Sequence, residues 1–506
     1  MNFIDKAIEY ISPQAAFKRQ AYRNALIESR SYDAAGYGRH NNNWNVWNEP
    51  GELTDRYDRE IVRARARDLE RNSDVMNAVI NAYTRNVFGK GYRLRATTDD
   101  KAIDDALEHG WQTWCKARNC DITGQQSFNA IMRMAVRRKK VDGGIFFLKV
   151  VTDGGYLPFK LQLLEVDELD ESAFETHGDG HKVVGGIEYD TFNRPIGYNF
   201  KRFDVTGTEY RETVYVEAQH VIFYFSKTRP SQVREISDMA KTITRTRNIN
   251  EFLSAQAIKE RILACFSVFI KQQFPQSGMG FRDSKVKDSG RYDYQGKTIT
   301  PGLIQYLNPG DEVQAVNPAG QATDANQFTK LQLQMVSAGQ GLSYESISRD
   351  LSNANYSSAR QGAIEDEQTF TEDVEGLMEI MDEIYETFVI YMVLEGRINI
   401  PNFWADRYPW FSHRWVKPPK KWIDPLKEAS ANKIALQTGQ KTWAEQAAEN
   451  GRDWREQVDE IADVIEYGKA KGVNMEAMIY GIQGNTGTGQ AGSTETDDTR
   501  PAKPES

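Results

Sequence analysis

Cysteine is scarce in this chain: Cys115, Cys120 and Cys265 are the only three in 506 residues. Their number and spacing set up neither a disulfide scaffold nor a zinc site, and they suit a reducing compartment. Long apolar runs are missing as well. Even "ILACFSVFI" at 262–270, broken by Ser267, spans only nine residues. A membrane-spanning helix needs roughly 20, so no membrane partner is expected. The opening "MNFIDKAIEYISP" puts Asp5, Lys6 and Glu9 where a secretory leader needs an apolar core, so export is not expected either. Catalytic signatures are also lacking. There is no G-x-S-x-G and no H-E-x-x-H. The nearest relative of a phosphate loop is "SGRYDYQGKT", 289–298. Five residues separate Gly290 from Gly296, and one of them, Asp293, would repel phosphate. A Walker loop sets four between its glycines so that successive amides converge on the phosphates, so this stretch reads as a turn in an exposed insert. Of six histidines only His177 and His181 are close together, in "ETHGDGH". That stretch reads as a hairpin or loop sooner than a metal site. No enzyme activity, metal or cofactor is expected.

What is present is a globular composition, with 40% hydrophobic, 11% aromatic and 27% charged residues. At this length several modules are expected. The net charge is −9, unevenly spread. Residues 361–506 hold 27 acids and 15 bases, or −12, which leaves +3 for the rest. A protein that grips duplex DNA by its phosphates carries a basic footprint; here any contact with nucleic acid should be weak.

Residues 2–30 read as helix, with Ile4, Ile8 and Ile11 at helical spacing, followed by a Gly- and Asn-rich arm. The pattern predicts helices over 56–88, 100–119 and 127–140. From 144 to 225 it changes to short β-branched and aromatic runs: "GIFFLKVV", "FKLQLLEV", "VVGGIEYD", "PIGYNFKRF", "TVYVEAQ" and "VIFYF". With no helix between them, they predict one antiparallel sheet. Helix returns at 236–270, with Ile258, Ile262, Cys265, Phe266 and Phe269 as its stripe. A loop-rich insert at 271–323 has strand candidates at "KTIT" and "LIQYL". Helix resumes near 325–338, and the longest helix runs from about 358 to 395 on a stripe of Val374, Leu377, Met378, Met381, Tyr385, Phe388 and Met392. Further helices follow residue 424. Pro425 stands at a first helical position, and Thr442 with Glu445 and Asp453 with Glu456 have capping-box spacing. The end of the chain, from about 483, has no apolar residue larger than Ala and is expected to be disordered.

Three charged features invite a function and have a plainer reading. The cluster "RMAVRRKK" (Arg133, Arg137, Arg138, Lys139, Lys140) reads as a solvated helix end sooner than a phosphate site. Ten acids and no base occupy 365–386: Glu365, Asp366, Glu367, Glu372, Asp373, Glu375, Glu379, Asp382, Glu383 and Glu386. Nuclease Mg²⁺ sites gather carboxylates from several elements, so one solvated acidic face is the simpler reading. The helices at 424–470 could suggest a helix-turn-helix, but Glu445, Glu449, Asp453 and Glu456 make that surface too acidic for the major groove.

One stretch is more specific. "GLSYESISRDLSNANYSSARQGAIEDEQTF", 341–370, closely resembles the signature of lambda-type bacteriophage portal proteins. Other pieces follow in the family's order: "RARARDLERNSDVMNAVINAYTRNVFGKGYRLRA" (63–96), "LQLLEVDELD" (161–170), "VVGGIEYDTFNRPIGYNF" (183–200), "NPGDEVQAVNP" (308–318) and "WIDPLKEASANKIALQTGQKTWAEQAAENGRDWREQVDEIA" (422–462). "RPSQVREIS", 229–237, departs from the family's usual Gly and following Pro.

The resemblance implies an α+β portal fold: a wing with an antiparallel sheet and a long helix, a helical stem, a small β-containing clip and a helical crown. Mapped here, 1–50 is an N-terminal arm, 51–239 the wing, 240–270 the first stem helix, 271–324 the clip and 325–350 the second stem helix. The tunnel loop is 351–357, the long wing helix 358–396, the crown 397–482 and the tail 483–506. The implied assembly is a homo-oligomeric ring, usually of twelve copies, at one capsid vertex of the virion, built in the host cytoplasm. Its implied partners are the terminase large subunit, the major capsid and scaffolding proteins, a head-completion or adaptor protein, and double-stranded DNA passing through the channel during packaging and ejection. Ser352, Asn353, Asn355, Ser357, Ser358 and Arg360 are the implied channel residues, with Arg360 pairing to the acidic helix as the slightly favoured role. Arg282, Lys285, Lys287 and Arg291 in the clip are the implied docking residues. Other head-structural or DNA-binding roles, and less readily a packaging nuclease or NTPase, are the alternatives.

Overall fold

The computed structural model describes residues 18, 46, 48–172, 175–176, 180–203, 206–207, 210–264, 268–270, 304–306, 325–350, 352, 356–418 and 425–475. The expected helix at 2–30 apart from Lys18, the "KTIT" strand, the 289–298 turn, His177 and the tail lie outside the described residues. The chain divides into two compact units, Met1–Glu60 with Lys227–Arg234, and Ile61–Ser226 with Glu235–Ser506. In the first unit, helix α1 (Gly51–Asp55) starts where the Gly51 N–H donates to Ser231 Oγ at 2.8 Å. Arg59, 2% exposed, donates to both carboxylate oxygens of Glu52 at 3.0 and 2.9 Å.

The helix expected over 56–88 is two helices, α2 (Arg59–Asn72) and α3 (Asp74–Val87). Ser73 separates them. It is extended at φ −122°, and its hydroxyl accepts from Met76 N at 3.3 Å, so it caps a new helix instead of continuing the old one. Next come β1 (Arg93–Ala96), α4 (Lys101–Trp114), α5 (Ala117–Cys120) and α6 (Phe128–Asp142). Gly143 ends α6 in the left-handed region, at φ +93°. A Cβ there would press into the Ile236 carbonyl, so the turn admits only glycine.

The expected single sheet is two antiparallel sheets. Strands β2 (Gly144–Val151) and β3 (Phe159–Leu164) belong to the first. The second holds β4 (Glu175–Thr176), β5 (Lys182–Val184), β6 (Ile187–Tyr189), β7 (Pro195–Phe203) and β8 (Tyr210–Glu217) in sequence order. Strand β9 (Val221–Phe225) returns to pair with β2, which gives the first sheet the order β3-β2-β9. Alternation along each run shows two faces but not which strand is its neighbour.

Helix α7 (Ile243–Ala264) is shorter than the expected 236–270. Residues 238–242 form a turn before it, and Val268–Ile270 after it is a strand, β10, paired in parallel with β11 (Ile304–Tyr306). Phe269 therefore does not extend the helical stripe, and Ile258 is 55% exposed. Helices α8 (Ala325–Gly339), α9 (Tyr344–Ser348) and α10 (Tyr356–Leu394) follow. Strand β12 (His413–Val416) pairs antiparallel with β1, Arg93 opposite Val416. The last helices are α11 (Pro425–Gln437), α12 (Trp443–Glu449) and α13 (Trp454–Ala470). Thr442 and Glu445 form the expected capping box. Asp453 caps α13 by accepting from Arg455 N at 2.8 Å, but Glu456 turns away to Arg93 and Arg95 at 3.0 and 2.6 Å.

The core lies where α3, α4, α6 and the first sheet receive α10. Along α10, Val374, Leu377, Met381, Tyr385, Phe388 and Met392 are buried as the stripe predicts. Trp114 is fully buried. It stacks on Phe159 at 5.2 Å and 6° and donates from Nε1 to the Phe159 carbonyl at 2.9 Å. Trp111 meets Tyr385 and Phe388 edge-on at 5.7 and 5.2 Å. Offset and edge contacts of this kind add to simple burial.

Candidate functional site

One carboxylate ties the start of α9 to α10. Asp366, on the second turn of described side chains in α10, is 6% exposed. It accepts from Ser343 N at 2.6 Å and Ser343 Oγ at 2.8 Å, and also from the Ser346 hydroxyl. Ser343 is itself the N-cap of α9, accepting from Ser346 N at 3.3 Å. Gly341, at φ +68°, lets the chain turn between α8 and α9; a Cβ there would lie 2.6 Å from Thr369 Cγ2 on α10. Arg349 ends α9 in the left-handed conformation, at φ +56°. The Asp350 N–H then donates to Ser348 Oγ at 3.1 Å, and Ser352 N to Asp350 Oδ1 at 3.0 Å. The hydrogen bonds from Ser352 hold the exposed Asp350 carboxyl below its ordinary value.

The sequence-predicted channel residues fall on and just after this bracket. Ser352 is exposed in the turn. Asn353 and Asn355 lie outside the described residues. Helix α10 starts at Tyr356, two residues earlier than expected, so Ser357, expected in the loop, joins Ser358 in its first turn. Arg360 is exposed on α10 and interacts with another group of the protein. The clip residues Arg282, Lys285, Lys287 and Arg291 lie outside the described residues.

A second aspartate, Asp373, seven residues along α10, is joined through Lys139 to Asp238 in the turn before α7. Lys139, 2% exposed, donates to Asp373 and to Tyr83 Oη at 3.3 Å, and lies 3.4 Å from Asp238. Burial works to lower the Lys139 pKa, but the carboxylates of Asp238 and Asp373 outweigh it and hold the ammonium charged. Lys140, 4.7 Å above the Tyr83 ring, is lowered by burial. In the same turn Gln340 Nε2 donates to Thr242 Oγ1 at 2.7 Å. Arg245 reaches Gln332 at 3.1 Å, and Phe252 packs on Phe328 at 4.7 Å, so α7 and α8 run side by side from a shared base.

The basic cluster is therefore not a solvated helix end. Arg137 and Arg138 converge on Glu70, Lys139 and Lys140 are buried, and Arg133 is the exposed member. The acidic helix is not one solvated face either. Its three aspartates are engaged: Asp366 and Asp373 as above, and Asp382 by His413 Nε2 at 2.9 Å and Trp415 Nε1 at 2.6 Å. Its seven glutamates are exposed. At about 100° per residue, all but Glu367 fall within an arc of about 80° opposite the buried stripe. Among the described residues no group of three or more His, Cys, Asp or Glu could hold a metal ion.

A family model described as "Phage portal protein, lambda family" matches residues 37–373, about two thirds of the chain. The chain belongs to the lambda family of phage portal proteins. This portal chain is 26% identical over 473 residues to a probable portal protein of Halomonas phage phiHAP-1, covering 90% of each. It is 20% identical over 475 residues to portal protein B of Escherichia phage lambda, covering 85% of this chain and 89% of that one. It is also similar to a chain in the virion of a native gene transfer agent particle, with 12% identity and a TM-score of 0.42 over 80% of this chain and 92% of that one. Within the portal chain, reading the signature as a sequence missed what Asp366 does. The hint was two serines three apart before a helix, with one aspartate among the glutamates that follow.

Proposed function

We propose that this portal protein forms a ring, of twelve copies, at one vertex of a phage capsid in the virion, and that its bore passes double-stranded DNA inward during packaging and outward at ejection. The ring is structural and carries no catalytic centre. The terminase large subunit, the capsid and scaffolding proteins and a head-completion protein are its partners. Helices α7 and α8 form the stem, the insert between them is the clip that docks terminase and adaptor through Arg282, Lys285, Lys287 and Arg291, and residues 397–482 form the crown.

The observation that supports this reading best is the Asp366 bracket. It ties Ser343, the N-cap of α9, and Ser346 within α9 to α10, close to the signature residues. Twelve copies of a basic loop would hold phosphates, because each phosphate contact adds binding that must be broken again. Ser352, Asn353 and Asn355, with Ser357 and Ser358 at the helix start, offer weak, exchangeable hydrogen bonds instead. Light scattering tests the ring: twelve chains of 57.7 kDa give about 0.7 MDa, and a monomer or dimer under every condition overturns it. Replacing Ser357 and Ser358 with Lys should leave ring assembly intact and reduce packaged DNA. Unchanged packaging removes the weak-contact role.

A further inference from the structure

Two faces of the larger compact unit carry opposite charge and lie back to back. Helix α10 packs against one side of the α3–α6 pair: Phe370 meets Tyr83 edge-on at 5.9 Å, and Asp373 holds Lys139. At about 100° per residue, Asn77, Asn81 and Arg85 lie on the side of α3 turned away from Tyr83, and Arg137 on the side of α6 turned away from Lys139. Arg137 reaches Asn77 and Asn81, each at 3.4 Å, and a Cβ at Gly91 would lie 2.7 Å from Asn129 Oδ1. The two helices therefore run antiparallel, which brings Arg133, one turn before Arg137, to the same end as Arg85 and Lys90. Glu70 and Asp74 stand at the other end of this face, and Glu70 is taken by Arg137 and Arg138. Arg85, Lys90 and Arg133 are exposed, and none of them forms an ion pair among the described residues.

The glutamates of α10 turn the opposite way, away from Phe370. Glu372, Glu375 and Glu379 are exposed, and none forms an ion pair among the described residues; further along, Glu383 takes Lys149. Within one chain these three stay in water, three and four residues apart, and like charges at that spacing destabilise a helix. Gly376 stands beside them. A Cβ there would meet nothing within 4 Å, so no contact in its own chain calls for a glycine, which weakens a helix interior relative to alanine. A second surface coming close to the stripe does call for it. We infer that the α10 stripe around Glu375 docks on the Arg85–Arg133 face of a second copy of this chain. This rests on the ring proposed above and adds where neighbouring copies meet. A closed ring of more than two copies uses a heterologous contact, in which two different patches of each copy come together. Faces of opposite charge on opposite sides of one body meet that requirement. Their lengths agree: at about 1.5 Å per residue, Glu372 to Glu379 spans about 10 Å and Asn77 to Arg85 about 12 Å. A self-matched pairing would set like charge against like charge.

A benzophenone amino acid at position 81, in rings assembled from isotopically light and heavy chains, tests the contact. The expected product joins light to heavy chains at residues 365–386. Cross-links to any other segment, or none, overturn it. Independently, Arg85→Glu with Arg133→Glu should reduce the ring fraction about tenfold, and so should Glu375→Lys with Glu379→Lys, each at unchanged Tm of the separated chain. All four changes together should restore rings. Rings kept by both pairs of reversals overturn the contact while leaving the ring itself standing. An arginine reversal that spares rings but abolishes binding of a labelled DNA duplex assigns the basic face to DNA and overturns the contact as well. Wild-type chains that never close into a ring overturn both the contact and the ring.

Discussion

Two regions of this chain are equally helical and held in opposite ways. Around α3, α4, α6 and α10, aromatic side chains are buried within one chain, and charges that enter the interior meet partners there. In α11–α13 the apolar side chains point outward, and the helices rely on caps and rim ion pairs. The difference teaches that a helical pattern in the sequence does not say whose surface will cover it. A capped helix with lysines or glutamates between its apolar residues looks the same whether its cover comes from its own chain or from a neighbour.

The comparison breaks most readily in the body. Trp114→Ala should cost about 4 kcal/mol, read as a lowered urea midpoint, whereas Trp454→Ala, at a site 37% exposed, should cost far less in the separated chain. Equal losses would erase the contrast. Next comes Asp373→Ala, which leaves the Lys139 ammonium buried with only the more distant Asp238 carboxylate. About 3 kcal/mol should be lost, and Lys139→Met in the same chain should recover part of it. A smaller effect depends on pH. Burial works to raise the Asp382 pKa, but hydrogen bonds from His413 and Trp415 outweigh it and hold the carboxyl below its ordinary value. A depressed carboxylate stabilises the fold above its unfolded value, and that contribution disappears as pH falls through the folded one. The Tm gap between wild type and Asp382→Asn should therefore be full at neutral pH and close below about pH 4; a gap that stays open in acid removes this role. Smallest of all, Val458→Ser, at a side chain 54% exposed, should change the stability of the separated chain by under about 0.5 kcal/mol.

Much of the fold is legible in the residues. "GIFFLKVV", "PIGYNFKRF" and "VIFYF" coincide with β2, β7 and β9 because each is a β-rich run bounded by turn residues. The α10 stripe is legible because 39 residues of one period leave little choice. The candidate site is legible only as a signature: "GLSYES" and "NANYSSAR" stand out, but that Asp366 clamps the first while the helix begins inside the second does not. The Lys139–Asp373 pair joins residues 234 apart, and β1 meets β12 across more than 300 residues. No local pattern encodes such pairs.

By itself the sequence determined the periodicities, the caps and turns, the −9 charge and the family. Those depend on neighbours within a few residues or on motif order. Only the tertiary structure decided which strand lies beside which, that two lysines of a basic run are buried while the seven glutamates of an acidic helix stay in water, and that one aspartate brackets the signature turn. Each of these is set by which distant surface covers a side chain. Desolvation and partner geometry, not residue type, then decide whether a charge is a surface feature or a structural tie.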